Sequence, residues 1–267
     1  MINISKKIII FCFFFYLPFQ SNAWGVLGHR IVGQIADSYL TPSAKKAISK
    51  ILGTESIGMS ANWADFIKSD TTMKYISPWH YVDINGGLSY ADFQSYLKHD
   101  TIVDAYTQLN FLIKQLKNKQ LPKDKKAMYL KLLIHIVGDI HQPLHVGHVE
   151  DEGGNKIKVT WFGTPTNLHS VWDSKLIDFQ QLSYTEYATA INHTTLAQRT
   201  ILQKQPLNDW LYQTYQIAGK VYDDIKPDDK LSYVYNYNYI DILNQQLLIG
   251  GVHLAGLLNE LFGTKTK

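Results

Sequence analysis

Apolar residues recur at intervals of three and four through most of the chain, in 26–40, 42–52, 60–69, 89–97, 101–117, 124–141, 169–179, 185–203, 206–224 and 237–262. That spacing gathers the apolar side chains of a helix into one stripe, and it predicts a mainly α-helical protein whose helices pack through those stripes. The segment 156–162 follows a different pattern: apolar and polar residues alternate between Gly153-Gly154 and Gly163, as in a short strand or hairpin bounded by turns. No repeat or low-complexity linker interrupts the chain, so a single helical domain carrying that one β element is expected. The tyrosine-rich stretch 233–239 reads as packing between the last two helices rather than as an exposed surface for bases or sugars.

The first residues obey another logic. Lys6 and Lys7 precede an apolar run over 8–19, and Ser21-Asn22-Ala23 offers small residues for cleavage, which together predict an export signal over 1–23. The run is too short to span a bilayer, and no later segment is expected to be transmembrane. Cleavage before Trp24 would leave 24–267 as one mature domain, secreted or periplasmic, with a sizeable core. The whole chain has 26 basic and 23 acidic residues; without Lys6 and Lys7 the balance is 24 against 23, a net charge of +1. Such a chain does not attract polyanions over its whole surface, so any nucleic-acid binding has to rest on a local site. Its one cysteine, Cys12, falls in the export segment, so the mature chain has no disulfide and any zinc would need nitrogen and oxygen ligands. The ten histidines then become the residues to explain.

His135 and Asp139 stand four residues apart near the end of a helix, so both project from one face and can grip the same ion. Alone, such a pair is more often an ordinary hydrogen bond. Here it is followed by Gln142-Pro143-Leu144-His145, where the proline ends the helix and turns His145 back toward the same end. A second pair at the same spacing, His169 and Asp173, lies in Asn-Leu-His-Ser-Val-Trp-Asp. Asn62-Trp-Ala-Asp65 supplies another carboxylate, and Trp79-His80-Tyr81-Val82-Asp83 sets an imidazole in an aromatic wall. Cleavage before Trp24 would also free an α-amine that can chelate together with the Trp24 carbonyl, and His29 is five residues on.

Taken in order, Trp24-Gly-x-x-Gly-His29, Asn-Trp-Ala-Asp65, Trp-His80-Tyr-Val-Asp83, His135-x-x-x-Asp139-x-His-x-Pro-x-His145, Gly153-Gly-Asn155 and Asn-Leu-His169-x-x-Trp-Asp173 resemble the class I nucleases. These are zinc-dependent single-strand nucleases and 3′-nucleotidases, related to the zinc-dependent phospholipases C. The resemblance implies a helical fold of the phospholipase C/class I nuclease type with three Zn2+ ions. By motif, one ion would take Asp65, His80, His135 and Asp139, and a close neighbour would take the Trp24 amine and carbonyl, His29 and the shared Asp139. The third would take His145, His169 and Asp173. Asp65, Lys68 and Asn155 match catalytic positions of the family, while Tyr81 and Asp83 match positions that stack and hydrogen-bond a base.

The implied activity is hydrolysis of single-stranded DNA and RNA to 5′-phosphate products, together with removal of phosphate from 3′-nucleotides; no obligate protein partner is inferred. His99, His141, His148, His193 and His253 are left without a metal role. Two departures stand out: tyrosine replaces the family's frequent phenylalanine at Tyr81, and the cysteines of secreted eukaryotic members are absent. A zinc-dependent phospholipase C and a non-catalytic zinc-binding interaction protein remain open as alternatives.

Overall fold

Helix α1 (Val26–Ser38) buries Ile31, Val32, Ile35 and Ala36, the apolar stripe that its spacing foretells. The computed structural model describes residues 24–264, so the export signal expected over 1–23 lies outside the described residues. α1 packs against α3 (Ile57–Ser60) and the long last helix, α13 (Tyr233–Phe262). The first contact depends on Gly33, where an added Cβ would come within 2.7 Å of the Gly58 Cα.

Between these, α2 (Pro42–Leu52) is capped by Thr41, and α4 (Trp63–Phe66) continues into a 3-10 turn, Ile67–Ser69. A longer 3-10 segment, Thr71–His80, leads to α5 (Tyr90–His99), α6 (Ala105–Leu116) and α7 (Lys123–Asp139). The last eight residues of α7, Leu132 to Asp139, include no exposed position, which makes that end of the helix the centre of the molecule. After it come α8 (Leu168–Ser170), a π-helical turn over Val171–Lys175, α9 (Leu176–Asp178), α10 (Tyr184–Ile191), α11 (Leu196–Leu202) and α12 (Leu207–Asp223).

The architecture is mainly α-helical, as expected, with a small sheet. β1 (Lys158–Trp161) and β2 (Thr164–Asn167) form an antiparallel hairpin, and β3 (Lys230–Leu231) joins the other side of β1 in parallel. The expected strand over 156–162 is shorter at both ends, because Phe162 and Gly163 have φ of 49° and 79° and form the two-residue turn. Two helical segments also start later or break. Asp104 caps α6 through the Thr107 N–H, so the helix expected from 101 begins at 105. The segment 185–203 divides into α10 and α11 because Thr195 and Gln198 form a second capping box inside it. The tyrosine-rich stretch is the first part of α13: Tyr235 and Tyr239 are buried, while Tyr233 and Tyr237 face solvent. Among the described residues, no helix is long and apolar enough to cross a membrane.

The Asp104 carboxyl is raised to about 7, chiefly by burial and further by facing Asp100. Its folded-state value therefore lies above the ordinary carboxylate range, so the folded protein holds a proton that the unfolded chain releases. Stability associated with this group is fully present below about pH 4 and declines as pH rises through 7. Asp104→Asn keeps an oxygen for the Thr107 N–H and supplies an amide toward Asp100. The variant should melt roughly 2–4 °C above the parent at pH 8, as ~1 kcal/mol gives in a chain of this size, and match it at pH 4. Thermal denaturation at both pH values checks this.

Candidate metal centre

Among the described residues, three groups of histidine and carboxylate come close enough to hold cations: His29, Asp65 and His135; His80, His135 and Asp139; and His145, His169 and Asp173. The first two adjoin at the C-terminal end of α7, where Asp139 is fully buried. Its two oxygens face different partners. Oδ1 is 3.3 Å from His29 Nε2, whereas Oδ2 is 3.0 Å from His80 Nδ1 and 3.2 Å from His135 Nε2. Ligands about 2.0–2.1 Å from a tetrahedral zinc are separated from one another by roughly 3.3 Å. The observed separations are of that size. One carboxylate thus looks into two adjacent ligand groups, the disposition expected of a shared ligand.

His29 reaches α7 because Gly138 has no side chain; an added Cβ there would lie 2.7 Å from His29 Nδ1. The imidazole stacks on that of His135 with ring centroids 3.8 Å apart. Trp24 is wholly buried against the same spot, with its Cδ1 within 3.7 Å of that added Cβ. Asp65 lies farther out, 3.9 Å from His135 Nε2, and its Oδ1 accepts a 2.6 Å hydrogen bond from Lys68 Nζ. The 3-10 ending of α4 makes that contact, and Lys68 is accordingly an ion-paired, half-buried residue rather than a freely solvated one.

In the third group, Asp173 Oδ2 is 3.2 Å from His169 Nε2 and its Oδ1 3.6 Å from His145 Nε2. The π-helical turn Val171–Lys175 carries Asp173, an example of a widened turn at a functional site. Trp172 anchors this turn by donating its indole N–H to the Tyr235 hydroxyl at 2.9 Å.

The histidine tautomers are set from behind. The Nδ1–H groups of His135, His145 and His169 donate to the carbonyls of Ala61, His80 and Gly153 at 2.6, 2.5 and 2.6 Å, leaving Nε2 lone pairs directed inward. This is the support usually found behind metal-ligating imidazoles. The buried polar atoms that lack a hydrogen-bond partner include both His29 nitrogens, His145 Nε2, Asp139 Oδ1 and Asp173 Oδ2. Buried polar groups are rarely left in this condition, so the donor set fits cations on a direct structural observation.

Charge in the cluster is strongly redistributed. Burial works to raise the Asp139 carboxyl, but the His135 charge and the close approach of the His135, His29 and His80 imidazoles outweigh it and hold Asp139 well below the ordinary carboxylate range. Burial lowers His80 to about 4. His145 goes the other way, to about 9, because Asp173 and Asp139 outweigh its burial.

Tyr81 and Asp83 follow His80 on an extended segment. Val82 and Ile84 donate their N–H groups to the His145 and Gly147 carbonyls, which turns those two side chains inward and Tyr81 and Asp83 outward. Tyr81 is 40% exposed, enough to offer a ring face to solvent. Burial, followed by the charge of Asp151, raises the Asp83 carboxyl. Asn155 closes the left-handed turn of Glu152, Gly153 and Gly154, and its amide donates to the Glu152 carbonyl at 2.8 Å. That turn also carries the Gly153 carbonyl that holds His169.

Two features escaped the sequence. His141 and His253 pair at 2.7 Å in the core, with Trp210 stacked on His253 at 4.3 Å. They are far apart in the chain, and no local pattern marks them as partners. Gln142 is fully buried; its amide donates to Asp173 Oδ1 at 2.6 Å and its carbonyl accepts from the Leu144 N–H at 2.5 Å. A glutamine just before the helix-ending proline was the available signal. Of the other histidines, His148 stacks on Tyr222 at 4.0 Å, and His99 Nδ1 donates to the Ser95 carbonyl.

Fold and site together define a helical protein built around buried histidine–carboxylate clusters suited to metal ions. A family model described as S1/P1 Nuclease matches residues 24–263. Endonuclease 4 of Arabidopsis thaliana is 31% identical, with 91% of each chain covered. Nuclease P1 of Penicillium citrinum is 29% identical over 91% of this chain and 99% of its own. Nuclease S1 of Aspergillus oryzae is 36% identical over 57% of this chain and 54% of its own. The chain belongs to the S1/P1 nuclease family, and it is an enzyme of the phosphodiesterase class.

Gln142→Leu removes the donor that orients Asp173 and leaves the Leu144 N–H unsatisfied. Loss of such a supporting hydrogen bond typically weakens metal binding about 10–100-fold. A competitive chelator titration of the purified protein should show that loss for one class of ion, with the remaining ions held as before. Unchanged affinity would remove Gln142 from the support of the site.

Proposed function

We propose that the chain is an exported zinc-dependent endonuclease and 3′-nucleotidase. It hydrolyses single-stranded DNA and RNA to 5′-phosphate products and releases the 3′-phosphate of nucleotides. The observation that carries this reading is Asp139, whose two oxygens face two adjoining ligand groups, with Asp83 near enough to His145 and His169 for their charges to act on it. The residues fit three zinc ions. Asp65, His80, His135 and Asp139 would hold one; His29, Asp139 and the freed amine and carbonyl of Trp24 a second; His145, His169 and Asp173 the third. Bound zinc supplies a Lewis acid that acidifies water and offsets charge on phosphate oxygens.

The protein's own groups account for orientation and selectivity. Asp65 accepts a hydrogen bond from an attacking water and thereby orients it, while the Lys68 ammonium beside it balances the negative phosphate. Asn155 turns its amide from the Glu152 carbonyl toward the phosphate. Tyr81 stacks an unpaired base, and Asp83 accepts a hydrogen bond from the base edge. A base inside a duplex has both faces occupied, so this subsite selects single strands with little regard to sequence.

Protein beginning at Trp24, with its zinc content measured, should cleave single-stranded DNA and a 3′-nucleotide faster than duplex DNA and lose both activities to chelation. Hydrolysis of phosphatidylcholine in their place would establish a phospholipase C, and zinc binding without any phosphoester cleavage a structural role.

Stacking on an aromatic side chain is worth about 1–3 kcal/mol per base. Tyr81→Ala should therefore raise KM for oligonucleotides roughly tenfold while zinc content stays constant. An unchanged KM would remove Tyr81 from substrate binding.

A further inference from the structure

At the opposite end of α7 from the ligands lies a cavity of about 610 Å3 where α2, the first turn of α7 and the end of α13 meet. Lys46 and Lys50 of α2 and Lys123 and Lys126 of α7 rim it, and Ile51 and the Phe262 ring contribute apolar lining. No acidic residue lines it among the described residues. Among the described residues, the lysines engaged in ion pairs are Lys45, Lys68, Lys117, Lys131 and Lys156, so none of the four rim lysines is neutralised by a carboxylate. The N-terminal turn of α7 has no side-chain cap, and Asp124 within it does not line the cavity.

Four unneutralised lysines on one concavity are a marked concentration in a chain whose overall charge is close to balanced. Cationic rim and aromatic lining together match the chemistry of single-stranded nucleic acid, whose phosphates meet ammonium groups while a base covers a ring. We propose that this cavity is a second, non-catalytic contact for the backbone of a single-stranded substrate. The proposal rests on the nuclease reading, and it deepens that reading by adding a length requirement. From Lys123 to Asp139 the helix rises about 24 Å. At the roughly 3.4 Å per nucleotide of a fully stacked strand that distance corresponds to about seven nucleotides, and an extended strand covers it with fewer. Dinucleotides and 3′-nucleotides engage only the metal centre, whereas longer strands gain the distal contact.

The test is the variant Lys46→Glu/Lys50→Glu/Lys123→Glu/Lys126→Glu of the zinc-loaded protein, assayed on a thymidine 20-mer and on a dinucleotide between 50 and 200 mM salt. Each lysine that meets a phosphate contributes about 0.7 to the slope of log affinity against log salt. The 20-mer KM should rise at least tenfold at the lower salt, with a salt slope flatter by up to about 3, while dinucleotide kinetics stay unchanged. An unaltered 20-mer KM and salt slope would overturn the proposal.

Fluorescence anisotropy with a labelled, phosphorothioate thymidine 20-mer supplies a readout independent of cleavage. Weaker binding by the variant supports the contact even if the nuclease reading fails; equal binding overturns it. Should the fourfold variant fail to fold, the pair Lys46→Glu/Lys123→Glu is judged by the same binding measurement. Binding of phosphatidylserine vesicles without binding of the 20-mer would assign the cavity to a membrane surface and overturn the proposal.

Discussion

A carboxylate held out of water at the wrong end of a helix organises this molecule. Asp139 has no exposed surface and closes α7, where the aligned peptide dipoles already place negative charge. Burial and dipole both oppose ionisation, yet His135, His29 and His80 hold the carboxyl in its charged form. The arrangement requires positive charge at the spot where His29, His80 and His135 converge, with Asp65 and Asp173 buried nearby. Imidazoles that carry protons can meet part of that demand, but protons occupy the lone pairs that now face inward. Cations satisfy the carboxylates and the lone pairs together, which is why the cluster makes chemical sense as a metal centre.

The precision of the cluster comes from irregular backbone held by regular elements. His135, His145 and His169 are each oriented by a main-chain carbonyl, from Ala61, His80 and Gly153. Those carbonyls lie beside a short helix, at the end of a 3-10 segment and in a left-handed turn. The start of the described chain is tied in as well, since the Gly25 N–H donates to the Asp173 carbonyl at 2.6 Å. Behind these turns, α13 provides the rigid support: Tyr235 holds Trp172, and Gln246 donates to the His141 carbonyl at 2.8 Å. A helix that supplies none of the clustered residues therefore helps to hold them in place.

Much of this was legible in the sequence because it follows from local periodicity. The four-residue steps from His135 to Asp139 and from His169 to Asp173 place each pair on one helical face, and Pro143 marks the turn that returns His145. What stayed hidden depends on competition between local and distant partners. In 185–203 the apolar spacing is interrupted only by Asn192-His193-Thr194-Thr195, and there a second capping box competes successfully with continued helix. Between His169 and Asp173 the helix widens into a π turn, which four-residue spacing alone does not reveal. His141 and His253 look like lone histidines because their partnership forms only after α7 and α13 pack. The support given by Gln142 to Asp173 likewise needs two segments to meet across the core.

The same arrangement bears on stability. Residues 24–264 contain no cysteine, so no disulfide limits the freedom of the unfolded chain in this region. The ligand groups draw on α1, α4, the 3-10 segment before Tyr81, α7, the turn at His145 and the helical segment from His169 to Asp173. An ion bound there would cross-link elements distant in sequence, and because the unfolded chain lacks the assembled site, its binding free energy would add to folding stability. Without such an ion, the most deeply buried part of the core would keep its unpartnered polar atoms and its opposed carboxylates. Ion binding and folding would therefore place the same demand on these residues: a substitution that improves apolar packing around Asp139 at the expense of one of them would remove a cross-link together with any chemistry the ion supplies.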